Sequence, residues 1–325
     1  MKAIVLKRIA LFVVGAVVLA YLVQRAGAGT VAEYLDNLGF GIVVPTLLVG
    51  IQHCLRVFAW HFPMRAMDQP VRYRELLRAR LGAEALGYLS LTGAIGSQTS
   101  KVLLLRKGVR ARWGAATVAV DAAASGIAGA LFLGGALLVC QAALGLPSWA
   151  SAIGGALLGA GAGAWLMATI WAGQRRHHAE MPAMDETPPS KRAAARDSMR
   201  LIRVGLVRLH GLPFALMIGI HLLGHATLTM ATWSIVSMLG ISDSPLVGLW
   251  FEAGAKLGNT LGVLVPARLG VFEVSIAASA SVLGVDPAAG IAVGLVRRLI
   301  DTLFVVVGLS LTTLWPIDPS RRQQP

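Results

Sequence analysis

VPARLGVFEVS, residues 265–275, sets Pro266, Arg268, Gly270 and Glu273 between two stretches as apolar as any in the chain. In a water-soluble protein such a segment would be an ordinary loop. Its surroundings say otherwise: 56% of the 325 residues are hydrophobic and 14% are charged, and the mean hydropathy is +0.69. Ordinary soluble domains do not reach such values. Apolar runs near the length that crosses a hydrocarbon core, about 20 residues, occur near 9–23, 39–60, 114–142, 150–173, 212–239 and 288–315. Two more, 81–96 and 246–283, are short or broken by Gly, Pro and charge. The expected fold is all-α, a polytopic transmembrane helical bundle of six full spans plus two broken re-entrant hairpins.

Lys2, Lys7 and Arg8 ahead of the first run, and AGAG after it, have the form of a signal peptide. With five more spans behind it, an uncleaved first helix is the expectation. Cys54 and Cys140 fall inside predicted spans and make no metal or disulfide pattern.

The net charge of +13 could suggest nucleic acid, but the basic residues gather at the N-terminus, in 64–80, 101–112 and 174–208, and at Arg321 and Arg322. The connections 24–37, 143–149 and 240–245 hold one basic residue, Arg25. That asymmetry is the positive-inside pattern. It places both termini and the basic loops in the cytoplasm of a plasma (inner) membrane protein, without any nucleic-acid partner.

The one substantial hydrophilic region divides the chain into an N-terminal transmembrane half (1–173), a linker with a basic helix (174–211) and a C-terminal transmembrane half (212–325). In the linker Arg192, Arg196, Arg200 and Arg203 share a helical face, while Leu201, Val204, Leu206 and Val207 supply apolar surface. This reads either as an interfacial helix on the anionic leaflet or as a solvated helix running into the next span. The halves also resemble each other. LRKGVRARWGAATVAVD (105–121) and SVLGVDPAAGIAVGLVR (281–297) match at an offset of 176 residues. If 64–80 and 101–112 are both cytoplasmic, the segment between them must enter and leave on one side. Residues 246–287 must do so from the other, as inverted repeats require.

Charge in hydrocarbon costs roughly 2.5–3.5 kcal/mol per residue on insertion scales, so a retained charge needs a partner, a wet cavity or a task. Glu252, Lys256 and Asn259 fall on one helical face, with Glu252 and Lys256 spaced to pair. Gly254, Gly258 and Gly262 form a second face open to close packing. Pro266 and Gly270 interrupt the helix, and a new one starting near Val271 would offer free amides beside Arg268, an anion site. Glu273 could pair with Arg268, Arg297 or Arg298, or titrate. Arg297 and Asp301 are spaced as i, i+4 partners, which leaves Arg298 without a local neighbour. Asp121 sits within a span with no basic residue within one turn. Sparser first-half counterparts are Arg56, Glu84, Gln98 and Lys101. The same cluster is open to reading as buried ion pairs holding helices in register. Surplus positive charge favours a substrate site for a phosphate, built from Arg268, Glu273, Arg297, Arg298, Lys256, Glu252, Asn259, Asp121 and Asp301.

His221 and His225 in HLLGH have i, i+4 spacing. A metalloprotease would have glutamate where Leu222 stands, and no nearby third ligand completes a metal site. Interhelical hydrogen bonding and a pH-sensitive or head-group role remain. No phosphate-cradling loop, nucleophile elbow or nucleotide motif is present, so no cofactor is expected.

Residues 262–309, GVLVPARLGVFEVSIAASASVLGVDPAAGIAVGLVRRLIDTLFVVVGL, resemble the second-half signature of the lysylphosphatidylglycerol synthase transmembrane region, a family of flippase-like membrane proteins. The shared elements fall on Pro266, Gly270, Val271, Glu273, Gly284, Val285 and Arg297 or Arg298. LTGAIGSQTSKVLLLRKGV is a weaker first-half match, with Ser97, Gln98, Thr99 and Ser100 where many members carry a proline, Arg and Gly-Glu. The resemblance implies lipid translocation rather than catalysis, by a stand-alone member without the synthase domain. Aminoacylated phosphatidylglycerol is the best known cargo, and hopanoid-locus or glycolipid-linked relatives occur. The expected partners are membrane lipids, lipid-synthesis enzymes and further copies of the chain. Two rival functions are a non-catalytic subunit of a lipid-synthesis complex and an intramembrane enzyme acting on lipid head groups.

Overall fold

The computed structural model describes residues 28–36, 39–69, 71–89, 93–105, 109–174, 191–265 and 268–314, with positions 17, 21 and 24 near the start. These residues form eleven α-helices, and no strand occurs among them. The helices are α1 (Ala28–Asp36), α2 (Val43–Ala66), α3 (Tyr73–Leu89), α4 (Gly93–Leu105), α5 (Ala111–Leu144), α6 (Trp149–Gln174), α7 (Lys191–Arg208), α8 (Leu212–Met238), α9 (Pro245–Leu261), α10 (Val271–Val282) and α11 (Pro287–Leu314). Short 3₁₀ turns, Gly39–Ile42 and Gly262–Leu264, precede α2 and follow α9.

Four helical segments are long and apolar enough to cross a membrane: Gly39–Ala66, Ala111–Leu144, Trp149–Gln174 and Leu212–Met238. The chain is a multi-pass membrane protein. α11 has comparable length, 28 residues, but carries Arg297, Arg298 and Asp301. Of the expected first span, 9–23, only Val17 and Tyr21 are described. At 1.5 Å per residue, α10 (12 residues) and α4 (13 residues) reach about 18 and 20 Å. Both fall short of a hydrocarbon core about 30 Å thick.

Packing follows a two-fold pattern. α3 packs against α4 and α9 against α10, forming two helical hairpins. α4 lies on α5 as α10 lies on α11, while α3 meets α11 as α9 meets α5. α2 and α8, the helices before each hairpin, pack on one another at the centre. Exchanging α2–α5 with α8–α11 therefore carries these contacts onto one another. The 176-residue offset is visible in the packing: Gly114 brings α5 close to Val102 and Val109, and Gly290 brings α11 against the backbone of Ile276 and Ala277.

The glycine face of α9 does what its spacing suggested. A Cβ on Gly254 would meet the Ser279 hydroxyl and one on Gly258 would meet Ser275, so α9 and α10 pack at close range. In the basic helix α7, Leu201, Val204 and Val207 are buried, and Gly205 lies against Met67 and Val120, so this part of its apolar surface covers α5 and the end of α2. Arg208 donates to Asp68 at 2.6 Å and to the Ala66 carbonyl at 3.0 Å, and Arg203 lies over the Trp171 ring. The helix does not run on into α8. Gly211, at φ +81°, turns the chain between them in a conformation glycine adopts without strain. The side chains of Arg192 and Arg196, and the linker before them, lie outside the described residues.

Candidate functional site

Two apolar clusters hold the bundle, one centred on α8–α11 and the other on α2, α3 and α5. A polar cavity of about 640 Å³ opens where the halves meet. Its walls come from α2, α3, α4, α5, α8, α9 and α11, and from Val263, Val265 and Arg268 between the arms of the second hairpin. Arg56, Arg80, Lys101, Lys256, Arg268 and Arg297 face it, with Glu84, Asp121 and Asp301. Adding the adjoining Arg298, Glu252 and Glu273 gives seven cations against five carboxylates. So much charge inside apolar helices is stable only where partners and water are at hand.

Most of these charges are partnered across helices. On the second-half side, Arg297 (α11) donates to Glu252 (α9) at 2.8 Å, and Thr232 (α8) donates to the same carboxylate oxygen at 2.6 Å. Arg297 and Glu252 are 5% and 2% exposed, so neither can lean on bulk water. Arg298 grips Glu273 (α10) through Nη2, and through Nε at 2.6 Å, and reaches the Tyr88 hydroxyl of α3 at 3.2 Å. The other Glu273 oxygen accepts the Gly270 backbone N–H at 2.9 Å. On the first-half side, Arg80 and Glu84 pair within α3 at 2.6 Å, and His53 of α2 stands 3.1 Å from Glu84. Asp121 (α5) is 3.1 Å from His221 Nε2 (α8) and 4.0 Å from Lys101 (α4). At the 176-residue offset Asp121 answers to Arg297, so equivalent positions of the two halves present opposite charges to one cavity.

Three expectations are corrected here. Glu252 pairs with Arg297 and Thr232, not with Lys256, because α11 brings a guanidinium to it across the bundle. Asp301 is consequently not the partner of Arg297; among the described residues its side chain makes no ion pair or hydrogen bond. The start of α10 is not an open anion site, because Glu273, fully buried, turns back and caps Gly270. Of the three partners open to Glu273, the structure selects Arg298, which also reaches Tyr88. Pro266 lies outside the described residues.

Besides the one unpaired carboxylate, Asp301, three cations among the described cavity residues lack a carboxylate partner. Among the described residues the side chains of Arg56 and Lys256 make no ion pair or hydrogen bond, and Arg268 is held by the Asn259 side chain at 2.8 Å, without a carboxylate. The three lie close enough to repel one another through space. Lys256 is directed at α5, where Gly129 leaves room: a Cβ there would lie 2.9 Å from its ammonium nitrogen. Arg268 has φ +55°, a left-handed backbone that a side chain adopts at a cost of about 1–2 kcal/mol. That strain sits where the second hairpin reverses.

Of the nine expected site residues, Lys256, Asn259, Arg268, Arg297, Asp121 and Asp301 line the cavity, and Glu252, Glu273 and Arg298 stand behind it as partners. Arg80, Tyr88 and Thr232 were missed. Arg80 had a signal, since Arg80 and Glu84 are spaced to pair as i, i+4. Tyr88 and Thr232 had none. His225 is stacked on Phe132, with ring centroids 4.7 Å apart.

A family model described as the lysylphosphatidylglycerol synthase TM region matches residues 8–308. No curated protein matches the chain.

Proposed function

The chain belongs to the lysylphosphatidylglycerol synthase transmembrane-region family, and from that premise we propose that it moves a phospholipid or related amphiphile between membrane leaflets, its head group passing through the central cavity. The observation that carries this reading is the cavity's unneutralised cations, Arg56, Lys256 and Arg268, drawn from both halves of the chain. An anionic phosphate supplies the charge they lack, while acyl chains stay among the lipids outside. The surrounding ion pairs hold the walls in register.

The topology that suits this role has six crossings, counting α11 and a helix near 9–23. The hairpins α3–α4 and α9–α10 enter from opposite faces. The short arms and the two-fold packing support it, as inverted repeats around a central site would require. Both termini then lie in the cytoplasm of a plasma membrane, in keeping with the distribution of Lys and Arg.

The test is lipid movement in proteoliposomes of the purified protein, with fluorescently labelled phosphatidylglycerol, phosphatidylethanolamine and phosphatidylcholine. Wild type is expected to move phosphatidylglycerol, the anionic lipid of the three, above the rate of empty vesicles. Arg56→Ala, which breaks no ion pair, is expected to slow that movement at least tenfold, about 1.4 kcal/mol. No movement above empty vesicles for any lipid would defeat the reading.

A further inference from the structure

His221 and His225 are each 2% exposed, and the head-group site gives them no task. His221 borders the cavity, and its Nε2 lies 3.1 Å from Asp121. Its Nδ1 is buried with no partner, and so is Nδ1 of His225 one turn along. Buried polar atoms are nearly always satisfied, and an exception calls for an explanation. With the Nε2 proton donated to Asp121, Nδ1 carries a free lone pair. It can take one proton when water reaches it from the adjoining cavity, and Asp121 then faces an imidazolium. A histidine beside an intramembrane carboxylate has the chemistry of a proton relay.

The neighbours decide when that proton is welcome. Lys101 of α4 stands 4.0 Å from the other Asp121 oxygen. Arg56 of α2 and Arg80 of α3 act through space on both members of the pair. On α8 itself His225 is the other titratable group, and it faces Lys256 of α9. Arg56 and Arg80 are thus cations that oppose a second positive charge on His221, and of the two Arg80 is already paired with Glu84 of α3, which lines the same cavity. An anion that neutralises Arg56 removes part of that opposition. By reciprocity, a proton on His221 strengthens anion binding by the same factor.

Resting on the transport reading, we infer that the Asp121–His221 pair is a proton-binding site loaded together with an anionic phospholipid head group, so that lipid and proton travel in the same direction. One proton is taken up at Nδ1 on the loading side and released to water on the other, with no other bond made or broken. Two unit charges across a cavity of this size, at an effective dielectric constant near 20, give a linkage of about tenfold.

The experiment compares inward movement of labelled phosphatidylglycerol in proteoliposomes with both sides at pH 7.5 and with the outside at pH 6.0. The expected ratio of rates is about ten in wild type, collapsing when nigericin dissipates the gradient, with a trapped pH dye reporting acidification. His221→Asn keeps a donor for Asp121 but cannot titrate, and its ratio is expected to be one, whatever its absolute rate. A wild-type ratio of one with lipid still moving overturns the proton linkage and leaves the transport reading intact. Absence of movement of every labelled lipid at both pH values overturns both. Should His221→Asn fail to fold, ¹⁵N-histidine spectra of the wild type in nanodiscs decide the matter. Titration of His221 about one pH unit higher in phosphatidylglycerol than in phosphatidylcholine supports the linkage, and identical titration overturns it.

Discussion

Replacing Glu273 by alanine tests whether the site's rim is held by ion pairing across helices. The carboxylate is fully buried and serves Arg298 with one oxygen and the Gly270 N–H with the other. Its removal takes away two kinds of charge-assisted hydrogen bond, each worth about 1.5–3 kcal/mol. It also leaves a guanidinium that is 16% exposed with the Tyr88 hydroxyl in place of a counter-charge. Breaking a buried pair from one side costs about 3–5 kcal/mol. Because Arg298 keeps Tyr88 and some exposure, the lower end, about 3 kcal/mol, is expected, which at roughly 2 °C per kcal/mol lowers the melting temperature by about 6 °C. The assay is thermal unfolding in a mild detergent, followed by tryptophan fluorescence. Arg298→Met in the Glu273→Ala background removes the charge that has lost its carboxylate and should restore about half of the loss, since a double-mutant cycle across a real contact is non-additive. If the two substitutions add, or if Glu273→Ala melts within 1 °C of wild type, the pairing does not stabilise the fold as argued.

Gly290→Ala should destabilise by about 1–3 kcal/mol in the same assay. Its Cβ would come within 2.7 Å of the Ala277 backbone, so α10 itself must give way. Gly155→Ala on α6, where nothing lies within 4 Å, should be neutral or stabilising by up to about 1 kcal/mol through helix propensity. Equal effects at the two glycines would contradict the assigned packing. Arg208→Ala removes the 2.6 Å bridge to Asp68, a residue whose side chain is 68% exposed. Less than about 1 kcal/mol should be lost, as for other solvent-facing pairs, and a larger fall in melting temperature would mean that α7 is held chiefly by the contacts of Arg208 rather than by Leu201, Val204 and Val207.

The residues that carry the site were legible because charge is rare in apolar helices. Arg268, Glu273, Arg297, Arg298, Asp121 and Asp301 stand out by type alone, and the structure places each in the cavity wall or directly behind it. Their pairing was not legible. The i, i+4 rule offered Glu252 to Lys256 and Arg297 to Asp301, yet α11 delivers Arg297 to Glu252, 45 residues away in sequence. Local spacing describes one helix in isolation, whereas a buried charge takes whichever partner the neighbouring helices bring to it. Arg56 shows the same limit, since nothing in LRVFAW marks it as the guanidinium left without a partner.

The sequence by itself determined the membrane class, the helical fold and the inventory of charges, because the hydrophobic effect and backbone hydrogen bonding in hydrocarbon act on composition and run length. It also foretold the α9 glycine face, since the four-residue period is intrinsic to the helix. Only the tertiary structure decided which cations are neutralised and which are left without a carboxylate. That outcome depends on the distances between side chains of helices far apart in sequence, and Coulombic attraction and desolvation follow those distances alone.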